Sequence, residues 1–251
     1  MFYTQELNDM DNDKEKYDSL IQYIMCFVGG FMGAYAILNH NDFLASAQTA
    51  NLIHVVLCIT GHNMPEFLMR IAAVLIYMTG LCIPVILRNK MEIDTKLVAI
   101  CFEMLMVGIL YFIDESVSTI YALYPVFFMT AIQWNSFPGA QGFVSSSIFS
   151  TNNFRQCTTS FIEYLCDKDR THLKKTKFFG TVLLSYHAGV AVSYFAWRAF
   201  GMREVILCLV PLVIVFAMLV VKNAVFGEKK HMSYNIIGEF VYFKKSKVKN
   251  S

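Results

Sequence analysis

Two short polar segments stand out in a chain that is otherwise mostly apolar. The first is Gln48-Thr49-Ala50-Asn51-Leu52, the second Ser150-Thr151-Asn152-Asn153-Phe154. Thr49 and Thr151 lie 102 residues apart, as do Asn51 and Asn153. Threonine hydroxyls and asparagine amides can bond a polar ligand, and they can equally satisfy backbone groups freed where a helix breaks. One reading has the two motifs meet at a ligand site near mid-membrane, where half-helix ends point at the substrate. The other has each motif cap a helix start after a turn. The ligand-facing reading takes in Gln48, Thr49, Asn51, Thr151 and Asn153. Gln133 and Asn135 join them from the end of the apolar run before the second motif, and Arg155 from just after it. Arg155 is suited to neutralise an anion, bind lipid headgroups or anchor the cytoplasmic edge.

Glu103 lies inside an apolar run, seven residues beyond Lys96. A carboxylate near mid-depth costs roughly 2.5–3.5 kcal/mol on insertion scales if it faces lipid. It must therefore face the bundle, be protonated or be paired, which leaves proton coupling and structural hydrogen bonding both open. His187, near the middle of a later run, poses the same choice between coupling and packing. His40, Asp42, His54 and His62 gather between two runs, but their spacing matches no compact ligand set, so no metal is expected. The seven cysteines are scattered singly without a C-x-x-C pair and read as small apolar residues.

The elements that position these residues are membrane spans. Charged residues make up 16% of the chain and mean hydropathy is +0.46, against about 25% charged in a soluble domain. Crossing the hydrocarbon core takes about 20 apolar residues. Six runs qualify: Leu20–Asn39, Phe67–Leu87, Leu97–Ile113, Val117–Trp134, Phe178–Trp197 and Val205–Val221. Pro65, Asp94-Thr95 and Asp114-Glu115-Ser116 mark ends, whereas Pro84, Pro125 and Pro211 fall inside runs. Residues 1–19 are acidic and polar, unlike the basic start of a signal peptide, and read as a solvated tail. The segments 43–60 and 139–165 are too polar to face lipid and read as re-entrant or broken, facing protein.

Basic residues set the orientation. With the N-terminus inside and six crossings, only Arg70, Arg198 and Arg203 of the 21 basic residues lie outside. Both termini are then cytoplasmic, and the Lys244-Lys245-Ser246-Lys247-Val248-Lys249 tail lies against anionic lipid. The duplication extends beyond the motifs. Lys96-Leu-Val-Ala-Ile-Cys101 resembles Arg203-Glu-Val-Ile-Leu-Cys208, and Tyr77-Met-Thr-Gly80 resembles Tyr186-His-Ala-Gly189. Each half reads as span, polar segment, span, span. Three crossings is an odd number, so the second half is inverted. The expected fold is an all-α, polytopic 3+3 inverted-repeat bundle. Its parts are a polar tail (1–19), a first repeat (20–113), a second repeat (117–222) and a basic tail (223–251).

Gly30-x-x-Gly-Ala-Tyr35 followed by Ala47-Gln-Thr-x-Asn-Leu52 resembles the YoaK family of small bacterial membrane proteins. So does Gln133-Trp-Asn-Ser-Phe137 followed by Ser150-Thr-Asn-Asn-Phe-Arg155. The resemblance covers about residues 20–222 and implies a polytopic protein of the bacterial inner membrane. The family's Thr-Gly-Asn motif has Ala50 and Asn152 at its glycine positions here, and Gly33 stands where many members carry aspartate.

No Walker loop, G-x-S-x-G, H-E-x-x-H or dinucleotide fingerprint is present, so neither catalysis nor a cofactor is expected. The net charge of +2 gives no reason to expect nucleic acid. The leading expectation is a secondary transporter or channel for a small polar solute or ion, with membrane lipids as partners. The alternative is a membrane scaffold or partner-binding component that transports nothing.

Overall fold

The computed structural model describes residues 2–40, 48–91, 94–114 and 116–225, the side chains of 2–10 excepted. The chain is helical almost throughout. In order it forms α1 (Phe2–Asn39), α2 (Gln48–Thr60), α3 (Met64–Ile86) with a π-turn Leu87–Met91, and α4 (Thr95–Tyr111). Then come α5 (Thr119–Ala122), α6 (Tyr124–Ser136) and a two-stranded hairpin of β1 (Gly139–Ala140) and β2 (Phe143–Val144). The chain continues with α7 (Thr151–Asp167), α8 (Arg170–Phe200), a 3-10 helix (Gly201–Cys208) and α9, residues 209–225.

Local chemistry sets these boundaries. Asn63 caps α3 by accepting from the Glu66 N–H, and Pro65 fills the first turn, where its missing N–H costs nothing. Asp94 caps α4 and Asp169 caps α8 in the same way, accepting from Lys96 and Thr171. Pro125 and Pro211 fall near helix starts: Pro125 opens α6 after a break at Leu123, and Pro211 follows the 3-10 segment. Pro84 does sit within a helix, and the π-turn follows it directly. The polar N-terminal stretch continues α1 instead of forming a separate tail, and Lys16 and Asp13 pair one turn apart on it. The basic tail beyond Val225 and the outer Asp42 lie outside the described residues.

Among the described residues, three helical stretches are long and apolar enough to cross a membrane: Asp11–Asn39, Met64–Met91 and Arg170–Val225. The chain therefore has the character of a membrane protein. The helices α4 and α6 are shorter, at 17 and 13 residues.

Helix pairing exchanges the two halves. The first helix, α1, packs along α8, while α6 packs along α3. Tyr23 stacks near Phe178 at one end of the first pair, and Asn39 and Ser193 share Glu204 at the other, so α1 and α8 run parallel. In the second pair Tyr124 bonds Met69 O and Asn135 bonds Leu81 O, so α3 and α6 are parallel too. Gln133, late in α6, reaches Met25, early in the apolar part of α1, which makes α1 and α6 antiparallel. Both parallel crossings are tight. A Cβ on Gly189 would lie 2.0 Å from Phe27 O, and one on Gly80 would lie 2.7 Å from Phe128 O.

The hairpins α2–α3 and α7–α8 use matching turns. His62 (φ 56) and Lys168 (φ 60) both adopt the left-handed conformation immediately before the capping residues Asn63 and Asp169. The core lies between α1, α4, α6 and the 3-10/α9 segment, around fully buried Phe31, Met32, Ile100, Phe127 and Leu212. At one end of the bundle Asp18 pairs with Lys222 and, at 3.4 Å, with Lys96. That end also holds Asp94 bonded to Asn223 at 2.7 Å.

Candidate functional site

The segment between α6 and α7 climbs along α1. Gln141 bonds Ser19 at 2.9 Å, Ser145 accepts from Gln22 at 3.1 Å, and Ser147 O lies against Gly29. From there α7 turns back along α8, with Cys157 beside Gly180, to the Asp167–Arg170 turn. The second polar segment therefore enters and leaves at the same end of the bundle. Glycine at 29 permits the approach, because a Cβ there would lie 2.0 Å from Ser147 O.

Asn153 stabilises this re-entry. It is 1% exposed, accepts from Ser146 N at 3.2 Å, and donates to Ser146 O at 2.7 Å and Phe149 O at 2.9 Å. Its amide is spent on its own loop, the capping alternative rather than the ligand-facing one. Thr151 and Arg155 are exposed, and Arg155 bonds Asn152 at 3.1 Å. Asn135 and Asn152 line an open cleft of about 840 Å³ with Ser145, Ser146, Trp134 and Phe149.

The first motif is placed differently. Asn51 is equally buried, but its partners are Gln48, at 3.3 Å, and the next helix: it accepts from Arg70 Nη1 and donates to Arg70 O, both at 3.4 Å. Arg70 is itself held by Glu66 at 2.7 Å. Thr49 is exposed, and the buried Gln48 Nε2 has no hydrogen-bond partner among the described residues. Among those residues no hydrogen bond joins the first motif to the second.

Buried polar groups concentrate instead around α1 and α4. Gln133 is fully buried, donates to Met25 O at 2.8 Å and leaves its Oε1 unpartnered among the described residues. Ser136 and Ser147 also have buried, unpartnered hydroxyls among those residues. Glu103 is 0% exposed, and neither carboxyl oxygen has a partner among them. Lys96, on the same helix, is about 10 Å away along the axis at ~1.5 Å per residue, and it is engaged with Asp18. Across from Glu103 lies the Cys208 thiol, which also interacts electrostatically with Glu204.

Glu204 went unrecognised in the sequence because it falls in the short connection between two spans. The 3-10 helix replaces an open loop there and turns its carboxyl inward. It is 0% exposed, accepting from Asn39 at 3.4 Å and Ser193 at 3.1 Å. No spacing signal marked it. His187 projects outward from α8, with Nδ1 2.8 Å from Leu183 O, and is not part of this buried group. His54 and His62 are exposed, His40 is buried, and the described residues contain no group of ligands able to hold a metal.

These buried polar side chains could hold a small charged or polar species. The chain belongs to the family described as protein of unknown function DUF1275, whose match spans residues 21–219. No curated protein and no solved structure matches it.

Proposed function

We propose that this protein is a secondary transporter or channel for a small polar solute or ion, built as a six-span, 3+3 inverted repeat of the YoaK type. In this reading it sits in a bacterial inner membrane with both termini cytoplasmic. The observation that carries the reading is Glu103. An unpartnered carboxyl at 0% exposure is costly to keep, and intramembrane ionisable groups commonly mark ion and proton pathways. The exchanged helix pairs support the repeat, because α1 and α6 occupy corresponding places yet run in opposite directions. The basic end, with Lys96 and Lys222 near Asp18, supports a cytoplasmic assignment for both chain ends.

Within this reading Gln133 stays a solute-binding candidate beside α1. The two motifs position helices, so Gln48, Thr49, Asn51, Thr151, Asn153 and Arg155 act through the fold, and Asn135 faces the cleft. Coupling falls to Glu103 rather than to His187. The test is solute uptake against external pH in proteoliposomes, with wild type and Glu103→Gln compared. The amide mimics a protonated carboxyl, so the variant is expected to fold normally and lose the pH dependence of flux. Unchanged pH dependence would reduce Glu103 to a packing group. Absence of flux across a broad set of ions and polar solutes would favour a scaffold.

A further inference from the structure

The Glu204 carboxyl has no part in the reading above, yet its surroundings are those of a cation site. We propose that Glu204, Asn39, Ser193 and Tyr35 bind one monovalent cation, a proton or a sodium ion, at the end of the bundle opposite Asp18. The carboxyl is 0% exposed and accepts from Asn39 Nδ2 and Ser193 Oγ. Both donors are neutral, so they solvate a charge without cancelling it. The Tyr35 hydroxyl is also fully buried, interacts electrostatically with Glu204 and has no hydrogen-bond partner among the described residues. The Tyr35 hydroxyl is therefore available as a further oxygen ligand beside the carboxyl. Carboxylate, hydroxyl and amide oxygens are hard donors, which suit a proton or an alkali ion and not a soft transition metal.

Among the described residues no cationic side chain is paired with this carboxyl. From α1 come Tyr35, Asn39 and His40, whose ring lies edge-on to Tyr35 at 5.8 Å. Burial holds His40 below the usual histidine range, so it is neutral near pH 7. From α8 comes Ser193, and from α4 comes Glu103, beyond Cys208. On the segment of Glu204 itself, Arg203 is exposed. A cleft of about 820 Å³, lined by Tyr111, Asp114, Phe200, Met202 and Arg203, borders that segment. Movement of the ion would rest on the transport reading, but its binding does not.

The experiment follows the thermal midpoint of the purified full-length chain in detergent, because a ligand that binds only the folded state raises it. One arm titrates sodium chloride against choline chloride at alkaline pH, and the other lowers pH in choline chloride. A rise with sodium alone identifies sodium, and a rise on acidification without a sodium effect identifies the proton. In either case Glu204→Gln should abolish the rise, and Tyr35→Phe should weaken apparent affinity about tenfold, the order of one lost hydrogen bond to a charged group. Identical responses in wild type and Glu204→Gln, or none in wild type, overturn the site. If Glu204→Gln does not fold, unchanged affinity in Tyr35→Phe overturns it. Normal pH-dependent flux in Glu103→Gln would overturn the coupling role of Glu103 while leaving these titrations as they are.

Discussion

The hairpins α2–α3 and α7–α8 make the same turn with different chemistry. Each has a left-handed residue followed by a side-chain cap, and each buries one motif asparagine to 1%. Asn51 faces the neighbouring helix and shares Arg70 with Glu66. Asn153 faces backward and closes the loop that enters beside α1. The second hairpin must hold an extended segment against a helix, where every exposed backbone group needs a partner. The first, among the described residues, joins two helices. Similarity of motif has preserved placement while leaving the bonding partners free to differ.

The largest expected difference between the halves lies at the helix crossings. Gly189→Ala would place a methyl 2.0 Å from a backbone oxygen, which has no flexible way to retreat. Loss of folded protein is expected. Gly80→Ala meets Phe128 O at 2.7 Å and the Ala131 methyl at 2.8 Å, so a small helix shift can accommodate it. That overpacking should cost roughly 1–3 kcal/mol. Detergent-extracted yield and thermal midpoint of the two variants check this, and equal effects would break the ranking of the two crossings.

Next come the asparagines. Asn153→Ala leaves the buried Ser146 N–H and carbonyl, and the part-buried Phe149 carbonyl, without their side-chain partner, at roughly 1–3 kcal/mol for each buried group left unsatisfied. Asn51→Ala should cost about 1 kcal/mol, because Arg70 keeps Glu66. Denaturation midpoints of both variants, with Arg70→Lys added in a double-mutant cycle, separate the two roles. If Asn51→Ala proves the more damaging, the assignment of Asn153 as the structural cap is wrong.

Much of this architecture was legible in the sequence, because long apolar runs, Asp and Asn caps and Pro65 each carry a local physical signal. Gly80 and Gly189, aligned in the sequence comparison of the two halves, each sit at a close helix crossing where a Cβ would meet a backbone oxygen. Other features lacked such a signal. The acidic start of the chain reads as tail because propensity alone does not say where a polar helix ends. His187 lies in a helix apolar on many sides, where periodicity assigns no inner face. Glu204 depends on a 3-10 segment whose inward turn is a tertiary outcome. The pairing of α1 with α8 and of α3 with α6 joins helices far apart in the chain, which no local pattern encodes.

The smallest expected effect separates the two caps by acid. Asn63 caps α3 with an amide that does not titrate, whereas Asp169 caps α8 with a carboxylate. The Thr171 backbone N–H bonded to Asp169 holds its carboxyl below the usual aspartate range. A folded-state value below the unfolded one means the cap contributes its full stability above the unfolded value. That contribution is lost as pH falls through the folded value. Protection of the first-turn amides of α8 should therefore decline in acid, once intrinsic exchange rates are corrected for. Glu66 also bonds the Asn63 cap, and His172 bridges Glu163 and Asp167 beside Asp169. The clean comparison is therefore wild type against Asp169→Asn, in which these neighbours are unchanged. The asparagine variant should match wild type near neutrality and keep its protection in acid, making the second turn behave like the first. An acid-induced loss of equal size in both proteins would place the titrating group elsewhere in the hairpin.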